Sequence, residues 1–470
     1  MVEAVSTPTL DARVLSALQD ILPAQDIRTD PAYCWAYSYD NSRRQGLPAV
    51  VVMPETHEQV QRIVELCNQH KLPITARGLG TGTAGAAVPE NGGLVMATEK
   101  MTACRIDPAN RVAVVQPGVT NGSVQREAAK HGFFWAPDPT SAEYSTVGGN
   151  LACNASGPRA VKYGTPRDNT LGLLAVSGDG VRIKAGCYTT KGVVGYDFTR
   201  LLIGSEGTLA VITEATLKLT PLPEGIRALR VLFTSASAAA RGVSSIMAQS
   251  VVPRVVEFID ADCLQLIRDY SGTDIPAEAK AMLIVEVDGP EAQLDYAVSA
   301  IEKAVQDPAL LECRGARSEQ ETKELWKSRK ALSPALKTIA PRKINEDVVV
   351  PVSKLGEFVT TLQEMAETFG VRIVAFGHAG NGNLHVNLLI DPDDPQQMTQ
   401  AKPCLAAIFD LVIKFGGTLS GEHGIGYEKK EFVSLEIEPD TMELMIRVKR
   451  QFDPNNILNP GKLFPAASLA

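Results

Sequence analysis

At 470 residues the chain has length for about three domains and for more than one buried core. Hydrophobic residues make up 44% and charged residues 21%, a balance that excludes a disordered chain. Its 54 acidic and 46 basic residues give a net charge of −8; with no basic block, this argues against nucleic acid as the main partner. An anionic small substrate needs only one or two placed cations.

Residues 1–45 read as a helical lead-in, because DARVLSALQDIL places apolar residues at helical spacing. Ala49–Met53 is a short β-branched run ended by Pro54. His57–His70 predicts an amphipathic helix with Val60, Ile63, Val64 and Cys67 on one face, and Pro73–Arg77 predicts the next strand. From about 90 to 220 the elements are short and mostly strand-like, with dense Gly and Pro punctuation. Pro221–Gly225 marks a domain boundary. From about 226 to 420, strands such as Ala228–Phe233 and Met282–Val287 alternate with helices such as Ala292–Val305 and Leu355–Phe369. That pattern predicts an α+β unit, an antiparallel sheet with helices on one side. The final stretch, 425–470, reads as helical, then turn-rich around Asn455–Lys462.

No window of 18 apolar residues is present, so no transmembrane helix is expected. The N-terminus lacks the pattern of a secretory signal. The eight cysteines are at least 33 residues apart, so no zinc ribbon, iron–sulfur run or haem attachment site is expected. A reduced, cytoplasmic protein follows from these features, with any membrane contact peripheral.

Gly80-Thr-Gly-Thr-Ala-Gly85 follows a predicted strand and matches the dinucleotide fingerprint G-x-G-x-x-G. That fingerprint needs a helix starting at the loop, to aim its N-terminus at a pyrophosphate. Here the chain runs into Pro89 and the pair Gly92-Gly93, which break such a helix. A nicotinamide site is therefore rejected. What remains is an anion nest of backbone N–H groups, with Thr81 and Thr83 as added donors, or, taken alone, a tight surface loop with no ligand. Two further small-residue stretches, Ser145–Gly157 and Gly204–Ile212, point to an extended phosphate-bearing ligand approached closely by backbone.

The motifs Arg77-Gly-Leu-Gly-Thr-Gly82, Ser145-Thr-Val-Gly-Gly-Asn150, Lys162-Tyr-Gly164 and Gly204-Ser-Glu-Gly-Thr208 resemble the FAD domain of the vanillyl-alcohol oxidase/PCMH flavoprotein superfamily. The resemblance runs from about 46 to 465 and is nearest to the D-2-hydroxyacid dehydrogenases: D-lactate dehydrogenase, the glycolate oxidase flavoprotein subunit and D-2-hydroxyglutarate dehydrogenase. It implies a two-subdomain PCMH-type FAD domain over 46–223, an FAD-linked oxidase C-terminal domain over 224–424 for substrate and metal, and a segment 425–470 returning to the FAD domain. By this resemblance Arg77, Gly78, Leu79, Gly80, Thr81 and Gly82 wrap the FAD pyrophosphate. Pro139, Thr140, Ser141, Thr146, Gly149, Asn150, Asn154, Gly157, Tyr163, Gly164, Glu206, Gly207, Ile212 and Asn459 line the rest of the cofactor. No histidine lies between His70 and His131, so the FAD is expected to be non-covalent.

Three of only six histidines fall within 46 residues, in Gly377-His378-Ala-Gly-Asn-Gly-Asn-Leu-His385-Val-Asn387 and Glu422-His423. Strand alternation puts His385 and Asn387 on one face. Two imidazoles and a carboxylate suit Zn²⁺, Mn²⁺ or Fe²⁺ with open positions for substrate, and the remaining histidine is available as a base. The bland alternative is that these histidines cap loops. The resemblance implies His378, His385 and Glu422 as ligands of one divalent metal, zinc favoured, His423 as catalytic base and Asn387 as a substrate contact. Trp326-Lys-Ser-Arg329 resembles the segment supplying the arginine that meets the substrate carboxylate, and Ser333 lies one helical turn on. The D-2-hydroxyglutarate enzymes carry a lysine shortly before the aspartate of Asp347-Val-Val-Val-Pro351. Here Lys343, Asn345 and Asp347 share a strand face, so Lys343 stands in as a candidate and a short monoacid is favoured over a five-carbon diacid.

The sequence thus points to an FAD- and metal-dependent dehydrogenase of a D-2-hydroxy acid, lactate-like. The alternatives are a glycolate or D-2-hydroxyglutarate dehydrogenase of the same group, or a flavoprotein electron-transfer subunit with no hydroxyacid activity of its own. Electrons must leave to an external acceptor: an electron-transferring flavoprotein, a cytochrome, a quinone or an iron–sulfur subunit. The family-level expectation is a homodimer.

Overall fold

The computed structural model describes residues 10–271, 274–316, 318–339 and 342–465. The chain divides into two compact units, one of residues 1–156, 164–222 and 422–470 and one of residues 157–163 and 223–421. Among the described residues no helix is long and apolar enough to cross a membrane.

In the first unit β1 (Ile27–Arg28), β2 (Val50–Val52), β3 (Ile74–Arg77) and β4 (Leu94–Ala97) form a sheet in the order β1-β2-β4-β3. Strands β2, β4 and β3 run parallel, and β1 pairs antiparallel with β2. The crossover helix spans His57–His70, as its pattern predicts. The Thr56 hydroxyl accepts the Gln59 N–H and the Gln59 side chain accepts the Thr56 N–H, a reciprocal cap that fixes its start. Val60, Ile63, Val64 and Cys67 pack on Val50, Val52, Ile74 and Leu94. Between β3 and β4, residues 78–93 form no helix, in line with Pro89 and the glycine pair.

The second sheet of this unit holds β5 (Cys104–Asp107), β6 (Val112–Val115), β7 (Phe133–Trp135), β8 (Thr170–Ser177), β9 (Arg182–Gly186) and β10 (Ala210–Pro221). Its order is β5-β6-β10-β8-β9, antiparallel throughout, with β7 also on β10. Helices Asn121–Ala129 and Val147–Cys153 lie among these strands; the strand-rich pattern does not reveal them. The C-terminal helix Pro439–Phe452 belongs to this unit and sets Val448 and Phe452 against the core of the second sheet.

The second unit is built on β11 (Gly225–Phe233), β12 (Val255–Asp260), β13 (Ala281–Gly289), β14 (Leu310–Gly315), β15 (Arg342–Val349), β16 (Arg372–Gly377) and β17 (Asn383–Ile390). They form one antiparallel sheet in the order β14-β11-β13-β12-β16-β17-β15. Helices cover both of its faces, not the one expected. Helices Ala261–Ser271 and Glu319–Ile339 set Cys263, Leu264, Leu332 and Leu336 on Leu232, Met282 and Ile284. Helix Ala236–Ala248 lies on the other face, its Gly242 against Phe233 and Leu283. The reason is the continuous run Met282-Leu-Ile-Val285, buried at every residue. A strand apolar on both sides needs cover on both.

Candidate active site

The histidine-bearing segment is a tight connection between two neighbouring strands of the second unit. His378 follows β16, a single helical turn spans Ala379–Asn381, and β17 carries His385 and Asn387. Gly382 makes the turn possible. Its φ is +74°, and a Cβ there would sit 1.9 Å from the Val350 carbonyl oxygen. In the register of β15, β17 and β16, Asp347 and Phe376 both lie opposite His385, while Asn345 and Val374 lie opposite Asn387. The predicted shared faces of His385 with Asn387, and of Lys343 with Asn345 and Asp347, are therefore one continuous face.

On that face the His378 and His385 rings meet edge to face, centroids 5.2 Å apart. His385 Nδ1 lies 3.9 Å from Asp347 Oδ1, and the ligand atoms of Asp347 and His385 fall within 4.8 Å of one another. Asp347 is fully buried and accepts hydrogen bonds from Asn383 Nδ2 (2.7 Å), the Gly421 N–H (2.9 Å) and Ser420 Oγ (3.2 Å). His378 Nδ1 bonds the Glu257 carboxylate of β12, so its Nε2 lies on the far side of the ring. Arg329, buried on helix Glu319–Ile339, donates Nε to the other Glu257 oxygen at 2.6 Å and stacks its guanidinium 4.5 Å from the Phe376 ring centroid. Glu257 thus joins the predicted carboxylate anchor to a predicted metal ligand. Burial alone would raise its carboxyl, but His378 and Arg329 outweigh that and bring it down to about 2. Asn387 donates to the His385 carbonyl (2.9 Å), while its buried Oδ1 has no partner among the described residues. Lys343 sits four pairs along from Asp347, opposite Leu389. The Ser333 side chain lies outside the described residues.

Glu422 and His423 open the last stretch of the first unit, directly after Gly421. Their own ligand atoms also lie within 4.8 Å of one another.

The predicted cofactor residues of the first unit assemble around the glycine loop. A Cβ on Gly78 would lie 2.2 Å from Thr146 Oγ1, so the loop abuts the start of helix Val147–Cys153, where Thr146 is the N-cap and Gly149 donates to it. The other end of that helix meets the Gly204 segment: the Gly204 N–H donates to the Leu151 carbonyl (2.9 Å) and the Glu206 N–H to that of Ala152 (2.8 Å). Asn154 caps this helix in the left-handed conformation and accepts the Arg167 N–H. Asn459 ties the third edge, donating Nδ2 to the carbonyls of Glu206 (2.5 Å) and Ala86 (3.2 Å). Glu206, buried with a φ of +53°, accepts the N–H groups of Ile425 and Gly426; burial holds its carboxyl above the usual range.

Arg77 is buried inside the loop, where Nη1 donates to the carbonyls of Tyr39 (2.8 Å) and Ala87 (3.4 Å). Leu79 is exposed, and Gly82 has no atom but Asp40 Oδ2, at 3.9 Å, near its Cβ direction. Pro139, Thr140 and Ser141 form a turn before Thr146, and Gly207 and Ile212 lead into and lie on β10. Gly157 and Tyr163 group instead with the second unit, where the Tyr163 hydroxyl donates to Asp288 (2.6 Å); Gly164 resumes the first.

The residues fit an extended polar cofactor. Ser145 Oγ and Asn150 Nδ2 are buried with no partner among the described residues. Two orphaned polar atoms on one motif, beside an open glycine loop, are what a hydrogen-bonding ligand would satisfy. Of the residues that carry the site, Glu257 escapes sequence reasoning. The signal was there: a carboxylate inside Val255-Val-Glu-Phe-Ile259 sits in a strand with no polar face.

The family description "FAD linked oxidases, C-terminal domain" matches residues 222–463, and "FAD binding domain" matches 48–186. The chain is 38% identical to the glycolate oxidase subunit GlcD of Bacillus subtilis over 430 residues, covering 91% of this chain and 92% of that protein. It is 35% identical to the D-lactate dehydrogenase of Archaeoglobus fulgidus, covering 96% and 98%. With the D-2-hydroxyglutarate dehydrogenase of Stutzerimonas stutzeri it shares 32% identity over 97% and 100% of the two chains. Among solved structures, p-cresol methylhydroxylase aligns over 96% of both chains with a TM-score of 0.77 at 18% identity. That likeness speaks to the fold alone.

Proposed function

Because this chain belongs to the FAD-linked oxidases, we propose that it oxidises a D-2-hydroxy acid to the 2-oxo acid. The observation that carries the reading is the buried row on β15, β17 and β16: Asp347, His385 and His378, with Glu257 and Arg329 behind. The named relatives act on glycolate, D-lactate and D-2-hydroxyglutarate, three acids with one shared 2-hydroxycarboxylate. Lys343 in place of the diacid enzymes' lysine favours a lactate-like monoacid.

FAD, held without a covalent bond, supplies the hydride acceptor. His378, His385 and Glu422 would hold one divalent cation, Zn²⁺ ahead of Mn²⁺ or Fe²⁺, which supplies Lewis acidity to the hydroxyl. Glu257 orients the His378 imidazole through Nδ1, and the Asp347 carboxylate lies 3.9 Å from His385 Nδ1. Arg329 meets the substrate carboxylate and turns Cα–H towards the flavin. Asn387 offers its partnerless Oδ1 to the substrate hydroxyl, and Ser333 and Lys343 flank the carbon chain. His423 takes the hydroxyl proton, an assistance worth about 10²–10⁴-fold. Electrons then leave to an external flavoprotein, cytochrome, quinone or iron–sulfur partner; the relative named as a subunit favours a partner chain. A cytoplasmic homodimer with at most peripheral membrane contact completes the reading.

The test is anaerobic flavin bleaching by a panel of D- and L-2-hydroxy acids, repeated after chelation and in His423→Ala. Bleaching by D-acids alone, lost on chelation and slowed at least about hundredfold in the variant, is expected. Bleaching that survives both would overturn the metal and base roles. A flavin that no hydroxy acid bleaches would make the chain an electron-transfer subunit.

A further inference from the structure

Among the described residues the first unit buries three lysines, Lys429, Lys449 and Lys462, and the last two differ in character. Lys449, 3% exposed, donates Nζ to the carbonyls of Thr208 (2.7 Å) and Leu458 (2.9 Å) and to the Asp453 carboxylate. All three of its donors are used by the protein. Lys462, 2% exposed, donates among the described residues only to Asn459 Oδ1 (2.9 Å), with Nζ 5.5 Å from the Tyr427 ring centroid. No carboxylate among the described residues forms an ion pair with it. A buried ammonium with one of three donors satisfied is costly unless an anion arrives.

Its position says which anion. Asn459, the one acceptor, also joins the glycine loop at Ala86 to the Gly204 segment at Glu206. Lys462 therefore sits directly behind the cradle. Three acids face it: Asp40, Glu206 and Glu90. Glu206 is engaged by two backbone N–H groups and Glu90 by Arg44. Asp40 accepts the Ser42 N–H on one oxygen and keeps the other, buried and without a partner among the described residues, towards Gly82. The cations around are Lys429, which lowers Glu206, Lys430 and Arg44 over the Tyr427 ring, and Arg77 beside Asp40. Burial pushes the Lys462 ammonium down to about 7.

We propose that Lys462 is the buried cation that answers the negative charge FAD brings to the glycine-rich cradle, so that a proton is taken up from solvent onto its amine as the cofactor seats. The inference rests on the reading of this unit as the FAD site. A proton taken up on binding makes affinity fall as pH rises, by up to about tenfold per pH unit. No histidine lies between His70 and His131 to produce that slope within the loop.

The experiment is titration of the full-length apoprotein with FAD from about pH 6 to about pH 9, read by flavin fluorescence. Wild type is expected to bind with level affinity below about pH 7 and ever more weakly above it. Lys462→Arg keeps its charge throughout and should bind tightly with a flat profile. Lys462→Met should bind weakly with a flat profile. Level wild-type affinity across the range, or a wild-type slope in either variant, would overturn the proposal. If the methionine variant does not fold, the arginine variant decides alone. Absence of FAD binding at every pH would sink the FAD reading itself and this inference with it.

Discussion

Glu257→Gln should be the most damaging isosteric change in the second unit. The carboxylate is fully buried and shared between Arg329 Nε, at 2.6 Å, and His378 Nδ1. At that separation and an effective dielectric of about 20, the Arg329 attraction alone is about 6 kcal/mol gross. Much of it offsets desolvation, and removing one partner of such a pair costs about 3–5 kcal/mol, because the other charge stays buried. Glutamine keeps one acceptor, so about 3 kcal/mol is expected. For a unit of this size that lowers the melting temperature by about 6–12 °C. The loss should depend on pH with a definite sign. The Glu257 carboxyl is held near 2 when folded against 4.5 ordinarily. Its stabilisation is therefore complete above about 4.5 and shrinks as pH falls towards about 2. Glu257→Leu with Arg329→Met should recover most of the stability and none of the activity. Calorimetric melts of the three proteins at two pH values check this. A Glu257→Gln protein melting within about a degree of wild type would refute the account of the pair.

Gly82 and Gly80 should separate binding from folding. Gly82→Ala places a methyl in open space beside Asp40 and should leave the apoprotein melt within about 0.5 kcal/mol of wild type while weakening FAD binding. Gly80→Ala would set a Cβ 2.2 Å from Arg77 Nη2 at a φ of +66° and should destabilise the apoprotein by more than about 1 kcal/mol. Asn150→Leu removes a buried, partnerless amide nitrogen; the apoprotein should gain about 1 kcal/mol while FAD affinity falls. Unchanged FAD affinity in Asn150→Leu would show that the orphaned nitrogen does not face the cofactor.

How far the sequence could be read depended on the range of the interactions involved. His57–His70 emerges to the residue because its cap, its apolar face and its left-handed end at Lys71 are all local. Leu355–Phe369, closed by Gly370 at φ +62°, does so for the same reason. The glycine loop without a helix follows from Pro89. The helices on both faces of the second unit's sheet escape a reading by strand length, because only burial on both sides of Met282–Val285 reveals them. The site shows the same division. His385 and Asn387 share a face by simple alternation, but the pairing of Asp347 with His385 is set by strand register between residues 38 positions apart. The Glu257 contacts span 72 and 121 positions. A lone glutamate in a strand announces that it needs a partner, not which one.

That pairing has an electrostatic consequence for substrate choice. Within the second unit, the described charges that touch the two imidazoles, directly or through Glu257, include the carboxylates of Glu257 and Asp347 and the guanidinium of Arg329. With neutral histidines they sum to −1, a poor welcome for an anionic acid. Arg329 can still meet the substrate carboxylate, but its charge is already matched by Glu257 through Nε, so it does not offset the substrate's charge on its own. A divalent ion on His378 and His385 raises the sum by two and removes the net repulsion. At about 4 Å and an effective dielectric of about 20, one unit charge is worth about 4 kcal/mol, a factor of about a thousand in affinity. Binding of the product-like 2-oxo acid, measured by calorimetry on chelated and metal-reconstituted protein, should differ by at least about a hundredfold. Equal binding with and without the ion would mean that Arg329 leaves Glu257 to take the carboxylate alone, and the charge argument for a metal would fall.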